Sequence, residues 1–309
     1  MAQLLSGYQD KDTIVHRANP VVKLVWTVVI VIVAMLVEHP LILTLVFLST
    51  LPSVAAGRLW KQWRAIMQFA FWMGLVVIII NCLAGSGGSH ILWELSFSLP
   101  VLGKIRITLE AIIYGVFMTV RLMTIISAFS IITFTIKPDD LLSALIVMRI
   151  PYRTALLTSL SIRFVPTMFE DASRIADAQR SRGLEMDKGS KLERLKNKAS
   201  ILPSLLSASL ERTIQVAESM EARAFGSPAK RTQFFKVPFK KTDIVIIILL
   251  VSALAVVLYT FFAGNISYDY YPSLQNIALG TEALVAIVIL LMILAGMVPI
   301  EYFSRNRAR

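Results

Sequence analysis

Long apolar runs separated by polar, mostly basic segments dominate the chain. The runs are roughly Val21–Val37, Leu41–Ala56, Ile66–Ala84, Ile107–Ile136, Ile244–Ala263 and Ile277–Ile300. A helix needs about 20 largely apolar residues to cross the hydrocarbon core of a bilayer. The pattern therefore predicts an all-α integral membrane protein with about six transmembrane helices. The second run is short and interrupted by Pro52, and the fourth is long and carries Glu110 and Arg121.

Lysine and arginine in the connections predict the orientation. GRLWKQWR joins the second and third runs and SRNRAR follows the sixth, whereas EHP and GNISYDYYPSLQ contain neither residue type. Cytoplasmic loops carry an excess of these residues. Both termini are therefore predicted to be cytoplasmic, and the segment Ala84–Arg106 and the loop 264–276 external. The Gly/Ser run after Ala84 is interpreted as a flexible connection.

Composition supports a membrane protein and excludes several other classes. The 309 residues are 56% hydrophobic and 17% charged, with a mean hydropathy of +0.69. A net charge of +11 fits basic cytoplasmic loops in such a protein, so no nucleic-acid partner is predicted. Cys82 is the single cysteine and can form no internal disulfide. The polar N-terminus lacks the features of a signal peptide, so the first span is expected to direct insertion.

The distribution of charge divides the chain into three regions. Residues 1–136 form an N-terminal membrane domain of about four spans, and residues 244–309 form a C-terminal membrane hairpin with a basic tail. Between them, residues 137–243 hold most of the lysine and arginine, interleaved with aspartate and glutamate. This middle region is predicted to be a cytoplasmic coupling domain of long amphipathic helices.

Two such helices follow from the spacing of apolar positions. The first, over 151–183, carries Leu156, Leu160, Phe164, Met168, Ala172 and Ala176 on an apolar side and Arg163, Glu170, Arg174 and Asp177 on a charged side. The second carries Leu195, Ala199, Leu202, Leu206, Thr213, Ala217, Met220 and Ala224 on one side. Ser190 and Glu193 fit a capping box at its start, and Pro203 is expected to kink it. Gly183 and Gly226 are predicted C-terminal caps.

Both helices end in a similar motif. DAQRSRGLEM (177–186) and ESMEARAFGS (218–227) each place an arginine among small residues just before a glycine. Small residues allow close approach to another surface, and a guanidinium supplies several donors, so each tip could fit a groove on a partner. Alternatively, Arg182 and Arg223 satisfy carbonyls at the helix C-termini.

The segments TFTIKPDDLLSAL, RFVPTMFEDASRIADAQRSRG and SMEARAFG together resemble the transmembrane T component (EcfT/CbiQ-like) of energy-coupling-factor transporters. The resemblance covers nearly the whole chain, from RANPVVKL to the second tip at Ala224. It implies that each tip contacts one of two ATP-binding-cassette subunits, of the A and A′ types. The implied triplets are Ser181, Arg182 and Gly183, and Ala222, Arg223 and Ala224. Ser181 replaces an alanine of the family pattern, and Ala224 replaces a glycine.

The resemblance also implies a mechanism and a location. ATP-driven closure of the two ATPase subunits would move the tips, and the amphipathic helices would carry that motion to a substrate-binding membrane protein, the S component. The chain would be a non-enzymatic subunit of an importer of a vitamin or transition metal in a prokaryotic cytoplasmic membrane. ATP and Mg²⁺ would be bound by the ATPases, since the chain has no GxxxxGK[ST] motif and is expected to bind no cofactor itself.

Other candidate chemistry is sparse. No catalytic residue and no metal ligand is predicted. His90 and Glu94 have the spacing of neighbours on a helix, but two potential ligands alone are weak evidence for a metal site. Arg121 is an intramembrane charge that needs a partner. Glu110 lies three helical turns away, so a partner on another span is expected, either as a contact between helices or as part of a substrate site.

Two other functions remain open from sequence. EARAFGSP resembles the coupling loop of conventional ATP-driven permeases, although such permeases usually present one loop each and this chain has two arginine tips. An integral-membrane enzyme would need clustered Asp, His or Ser groups at one membrane face, and the sequence shows no such cluster. The sequence leaves open the transported substrate and whether the module is dedicated or shared.

Overall fold

The computed structural model contains two compact units. It describes residues 11, 13–84, 88–99, 103–137, 140–141, 144, 151–184, 190–227, 240–264, 268–272 and six positions between 284 and 294. We call the units the apolar unit, within Gly7–Leu141 and Val237–Arg309, and the polar unit, within Leu142–Lys236.

The elements follow one another along the chain as helices with one strand pair. They are α1 (Ile14–Arg17), α2 (Pro20–Leu36), α3 (Pro40–Ala56), α4 (Trp60–Ala84), β1 (Ile91–Leu99), β2 (Gly103–Thr108), α5 (Leu109–Thr135), α6 (Tyr152–Ser181), α7 (Lys191–Ala199), α8 (Ile201–Ala222) and α9 (Lys241–Phe262). The helices α6, α7 and α8 belong to the polar unit and the other elements to the apolar unit.

Three helices in the described residues are long and apolar enough to cross a membrane. They are α4 over Trp60–Leu83, α5 and α9. The apolar helices α2 and α3 have 17 residues each, at the short end of the range of about 17–25 for a spanning helix. The sixth predicted run, Ile277–Ile300, lies outside the described residues except for isolated helical positions. A helical membrane protein is confirmed, and the count of six spans stays a prediction.

Most helix bounds lie within a few residues of the apolar runs. Two helices differ from what the runs suggest, one in where it begins and the other in how it contains a proline. α4 begins at Trp60, six residues before the predicted span at Ile66, because a helix can continue beyond the bilayer into water. The Trp63 N–H donates to the Leu59 carbonyl at 2.9 Å in this extension. α3 runs through Pro52 to Ala56 and closes with the Gly57 N–H bonded to the Ser53 carbonyl at 3.0 Å. The proline therefore does not break this helix.

The core of the apolar unit lies around α2. Trp26, Ile30 and Val33 recur at helical spacing, are at most 1% exposed, and pack with residues of α3, α5 and α9. A buried polar contact joins three helices, since Ser127 Oγ lies 2.8 Å from Thr50 Oγ1 and accepts from Trp63 Nε1 at 2.9 Å. One side of α4 is apolar and exposed, as lipid contact requires: Phe69, Trp72, Val76 and Ile80 are 46–64% exposed.

Polar residues fix one end of this core. Lys23 is buried, and its Nζ donates to the carbonyl oxygens of His16 and Thr135, each at 3.1 Å. These carbonyls lie in α1 and at the C-terminus of α5, where a cation is favoured by the helix dipole. Asn19 caps α2 and donates from Nδ2 to Asp243 Oδ2 at 3.1 Å. The RANPVVK segment therefore ties the starts of α2 and α9 to the end of α5.

The predicted external segment Ala84–Arg106 contains an antiparallel strand pair that we did not predict. Ile91 pairs with Thr108, and Leu99 pairs with Gly103. The sequence ILWELSFSL alternates apolar and polar residues from Trp93 onward, which is the period of a strand. The prediction of an external segment with a flexible Gly/Ser run therefore did not include the regular structure that follows this run.

The polar unit consists of α6 packed against α8, with α7 leading into α8. Arg212 of α8 forms an ion pair with Asp171 of α6 at 2.7 Å. The capping box at the start of α7 is confirmed, since the Glu193 N–H donates to Ser190 Oγ and the Ser190 N–H donates to a Glu193 carboxylate oxygen. The predicted second helix is two helices rather than one kinked helix. It divides at Ser200, because Pro203 has no N–H to continue the ladder.

Candidate functional site

The tip of α6 has the backbone of a Schellman cap. Ser181 is the last helical residue, Arg182 is the C-cap, and Gly183 takes a left-handed conformation with φ of 89°. The Gly183 N–H donates to the carbonyl three residues before it at 3.0 Å, and the Leu184 N–H donates to the Gln179 carbonyl at 3.0 Å. Glycine adopts this φ without a clash at Cβ, so the residue type and the cap agree.

The tip of α8 has the same cap, and each of its residues holds the position of the corresponding residue in the tip of α6. Ala222 ends the helix, Arg223 is the C-cap, and Ala224 is left-handed with φ of 55°. The Ala224 N–H donates to the carbonyl three residues before it at 2.8 Å, and the Phe225 N–H donates to the Met220 carbonyl at 2.9 Å. The two triplets therefore hold equivalent positions, although Ala224 has a Cβ where the first tip has a glycine.

The guanidinium groups of both tips are available. Arg182 and Arg223 are exposed, and neither side chain forms an ion pair or hydrogen bond with any described residue. Backbone N–H groups already bond the terminal carbonyls named above, so neither arginine side chain caps its helix in this structure. Arg180 differs, since its Nη1 lies 3.2 Å from Asp177 Oδ1 on the same helix.

The apolar sides of the two long helices differ in burial. The predicted side of α6 is half-buried along most of its length, at Leu156, Leu160, Phe164, Ala172 and Ala176. On α8, four apolar residues at intervals of four form what we call the α8 row: Leu202, Leu206, Leu210 and Ile214, 57–62% exposed. α8 instead turns the side that carries Arg212 toward α6. The α8 row therefore offers an apolar surface without a partner in the described residues of the polar unit.

Arg121 lies on α5 and contacts the end of α2. Its Nη2 donates to the carbonyl of Val37, the C-cap residue of α2, at 2.7 Å, and its Nη1 lies 3.5 Å from Met118 Sδ. The Nε atom is buried and has no hydrogen-bond partner among the described residues. The arginine thus joins two helices through a backbone oxygen, and no described carboxylate pairs with it.

Glu110, at the start of α5, bonds to Ser89 and His90 and not to Arg121. Its fully buried carboxylate accepts from Ser89 Oγ at 3.0 Å and from the backbone N–H of His90 at 3.1 Å, and His90 Nδ1 lies 2.8 Å from the same oxygen. Across the described residues, no group of three or more His, Cys, Asp or Glu side chains is arranged to hold a metal ion. His90 therefore supports the junction between β1 and α5.

Comparison with known proteins gives one consistent result. The family model described as "CbiQ: Cobalt transport protein" matches residues 11–234. The transmembrane protein EcfT of the energy-coupling factor transporter from Bacillus selenitireducens is 28% identical over 270 residues, covering 84% of this chain and 98% of that relative.

Two further relatives have the same description. EcfT of Lactococcus lactis is 27% identical over 79% of this chain and 92% of its own length, and EcfT of Streptococcus thermophilus is 27% identical over 84% and 98%. The family match includes both tips and the four apolar helices α2 to α5, and the relatives confirm the resemblance carried by the sequence motifs. The chain belongs to the CbiQ cobalt transport protein family and is an EcfT/CbiQ-like transmembrane T component of energy-coupling-factor transporters.

Proposed function

We propose that the two tips dock two ATP-binding-cassette subunits, of the A and A′ types, and that the chain transmits their motion to a substrate-binding S component. The observation that carries the proposal is the equivalence of the tips. Ser181, Arg182 and Gly183 hold the same three cap positions as Ala222, Arg223 and Ala224, and both arginines are exposed without a described partner. Two equivalent tips suit two related binding partners.

The chemistry of each tip suits a groove lined by carboxylates or carbonyl oxygens. A guanidinium offers five N–H donors in a planar fork. The flanking residues are serine, glycine or alanine, so the backbone can approach a partner closely. A cation is also favoured at the C-terminus of a helix, which holds the arginine in place at little energetic cost.

The helices behind the tips can carry a displacement. At about 1.5 Å per residue, the 30 residues of α6 and the 22 of α8 extend about 45 and 33 Å. The ion pair between Asp171 and Arg212 joins the two helices between their ends. Movement of one tip would therefore be passed to the other helix, and the α8 row would supply the apolar surface on which the S component rests.

In this proposal the chain is the coupling subunit of an importer of a vitamin or a transition metal. The S component would determine the substrate, and the ATPase subunits would bind ATP and Mg²⁺. Both termini and the polar unit would lie on the cytoplasmic side, where ATP is available.

Charge reversal at the tips tests the proposed docking. The tagged full-length chain is purified from its native membranes in mild detergent, and bound proteins are identified by mass spectrometry. Arg182→Glu and Arg223→Glu are each expected to release one ATPase subunit, and the double variant both. Arg194→Glu, an exposed position on α7, makes the same change in charge and should retain the complex. Full retention of both ATPases and normal uptake in the double variant would refute the role of the tips.

A second pair of variants tests the α8 row. Leu206→Asp is expected to release the S component while both ATPases stay bound, because it places a charge in an apolar contact. Ser207→Asp, at the next and also exposed position, is the control and should retain all partners. Equal retention of the S component by the two variants would exclude the α8 row as its contact surface.

A further inference from the structure

An open pocket of about 640 Å³ lies at the end of the apolar unit where α2 and α4 end and α3 and α5 begin. Its wall includes α4, α5, the residues after α2, and the segment 268–271 that follows α9. Pockets for small ligands usually measure roughly 300–1,000 Å³, so this one can hold a small molecule or a lipid headgroup. None of the tip residues contributes to it.

Arg121 gives the pocket one incompletely bonded cation. Of its five N–H donors, one bonds the Val37 carbonyl, one faces a methionine sulfur, and the buried Nε group has no partner in the part of the chain that the structure describes. No carboxylate among the described residues lies within 4.0 Å of it. An arginine within a membrane helix is costly without a counter-ion, so the pocket favours an anionic group at this position.

The opposite charge and an aromatic wall lie in the same pocket. The acidic residues Glu38 and Asp269 line it and are exposed. The ring of Tyr270 lies 5.2 Å from that of Tyr114 and 4.7 Å from that of Tyr268, each in an edge-to-face arrangement. Carboxylates and aromatic faces both attract ammonium groups. The pocket thus presents partners for an anion and for a cation.

A hydrogen bond holds the wall in place. The Tyr270 hydroxyl donates to the Glu38 carbonyl at 2.8 Å. Burial raises the pKa of Tyr270, so its hydroxyl stays protonated and remains a donor. The segment 268–271 is therefore fixed against the residue that follows the C-cap of α2, and the cavity is built by the fold.

We propose that this pocket binds a zwitterion of the phosphoethanolamine type, with its phosphate on Arg121 and its primary ammonium near Glu38 and the tyrosine rings. A phospholipid headgroup is one source and a soluble phosphoethanolamine is the other. The lengths of α2 and α3 favour the lipid. Their 17 residues extend about 26 Å, about 4 Å less than a hydrocarbon core of about 30 Å. Short helices thin the surrounding bilayer, which brings headgroups toward this end.

Native mass spectrometry of the full-length chain tests the proposal. The chain in mild detergent receives equal amounts of phosphatidylethanolamine and phosphatidylglycerol with the same acyl chains. Wild type should retain the ethanolamine lipid about tenfold over the glycerol lipid, as one charge-assisted contact to the ammonium would produce. Glu38→Gln should reduce that preference to about twofold or less, whereas Glu218→Gln, an exposed carboxylate on α8, should leave it unchanged. Arg121→Lys should lower retention of both lipids.

A second measurement with a soluble ligand distinguishes a phospholipid headgroup from a soluble phosphoethanolamine. O-phosphoethanolamine is added to the lipid-depleted chain, and thermal unfolding is followed for wild type and Glu38→Gln. Stabilisation of wild type alone, without preference between the lipids, supports the same recognition with a soluble ligand. Equal retention of both lipids in wild type and Glu38→Gln, with no stabilisation by O-phosphoethanolamine, overturns the proposal. Glu38 is an exposed connection residue, so this result does not depend on whether the Arg121 variant folds.

Discussion

Gly74 on α4 faces Thr119 on α5 across a contact with no room for a methyl group. A Cβ at Gly74 would lie 2.1 Å from Thr119 Cγ2 and 2.9 Å from Thr119 Oγ1. The single hydroxyl proton is also shared between two acceptors, the Gly74 carbonyl at 3.1 Å and the Gly115 carbonyl at 2.9 Å. Gly74→Ala must therefore separate the two helices or rotate Thr119, and either change disturbs these hydrogen bonds.

The structure sets the expected magnitude and predicts a rescue. Overpacking a helix contact costs about 1–3 kcal/mol, and the weakened hydrogen bond about 0.5–1.5 kcal/mol, so Gly74→Ala should lower the free energy of unfolding by about 2–4 kcal/mol. Thr119→Ser removes the methyl at 2.1 Å and keeps the hydroxyl. Alone it should cost about 1 kcal/mol. Combined with Gly74→Ala it should restore about half of the lost stability, with the remaining deficit due to Thr119 Cβ at 3.0 Å.

Reversible unfolding of the full-length chain in mixed detergent micelles measures all four members of this double-mutant cycle. Val76→Ala, on the exposed side of the same helix, is the control and should change stability by less than about 0.5 kcal/mol. The close contact would be refuted if Gly74→Ala were as stable as the control. A double variant less stable than Gly74→Ala would show that Cγ2 of Thr119 is not the obstructing atom.

Three further predictions concern other local contacts. Ala224→Gly should slow amide exchange of Phe225 several-fold. The left-handed conformation costs a residue with a Cβ about 1–2 kcal/mol, and the greater flexibility of glycine in the unfolded chain offsets only about 0.5–1 kcal/mol of this. Unchanged or faster exchange would contradict the prediction. Lys23→Met should lower the free energy of unfolding by about 1–3 kcal/mol, since it removes the buried ammonium that donates to the carbonyls of His16 and Thr135, and a variant as stable as wild type would contradict it. Hydrogen bonds from the backbone and side chain of Ser190 lower the pKa of Glu193 from 4.5. The capping box should therefore be complete above pH 4.5 and be lost as the pH falls through the lowered pKa. NMR titration should find that Ser190→Ala raises the pKa of Glu193, and an unchanged pKa would exclude the serine contact.

Features that depend on neighbouring residues could be predicted from the sequence. The capping box needs only Ser190 and Glu193, and the left-handed cap of α6 needs only Gly183, so local spacing is sufficient for both. The left-handed Ala224 is harder, because alanine rarely adopts that conformation. The sequence instead predicts the cap at Gly226, whereas in the structure Arg223 is the C-cap and Ala224 takes the left-handed position.

Features that combine distant segments could not be located in this way. The pocket joins Glu38, Arg121 and Tyr270, which are far apart in sequence, and no spacing rule brings them together. The local signals were Arg121, an intramembrane charge, and the YDYY run, which fits an aromatic belt at a membrane interface equally well. The first strand could have been predicted, since WELSFSL alternates apolar and polar residues, but the nearby Gly/Ser run favoured a simple connection.

The arginines singled out in the sequence have N–H donors without a partner among the described residues, with different energetic consequences. Arg182 and Arg223 are exposed, so water satisfies their donors and the unbound state costs little; their availability permits docking without requiring it. The Nε group of Arg121 is buried away from water and has no partner among the residues that the structure describes, which costs free energy in the state without a ligand. A substitution at either tip should therefore act through assembly and leave the isolated chain as stable as before. A substitution of Arg121 should alter the stability of the isolated chain, and lipid should change the size of that effect.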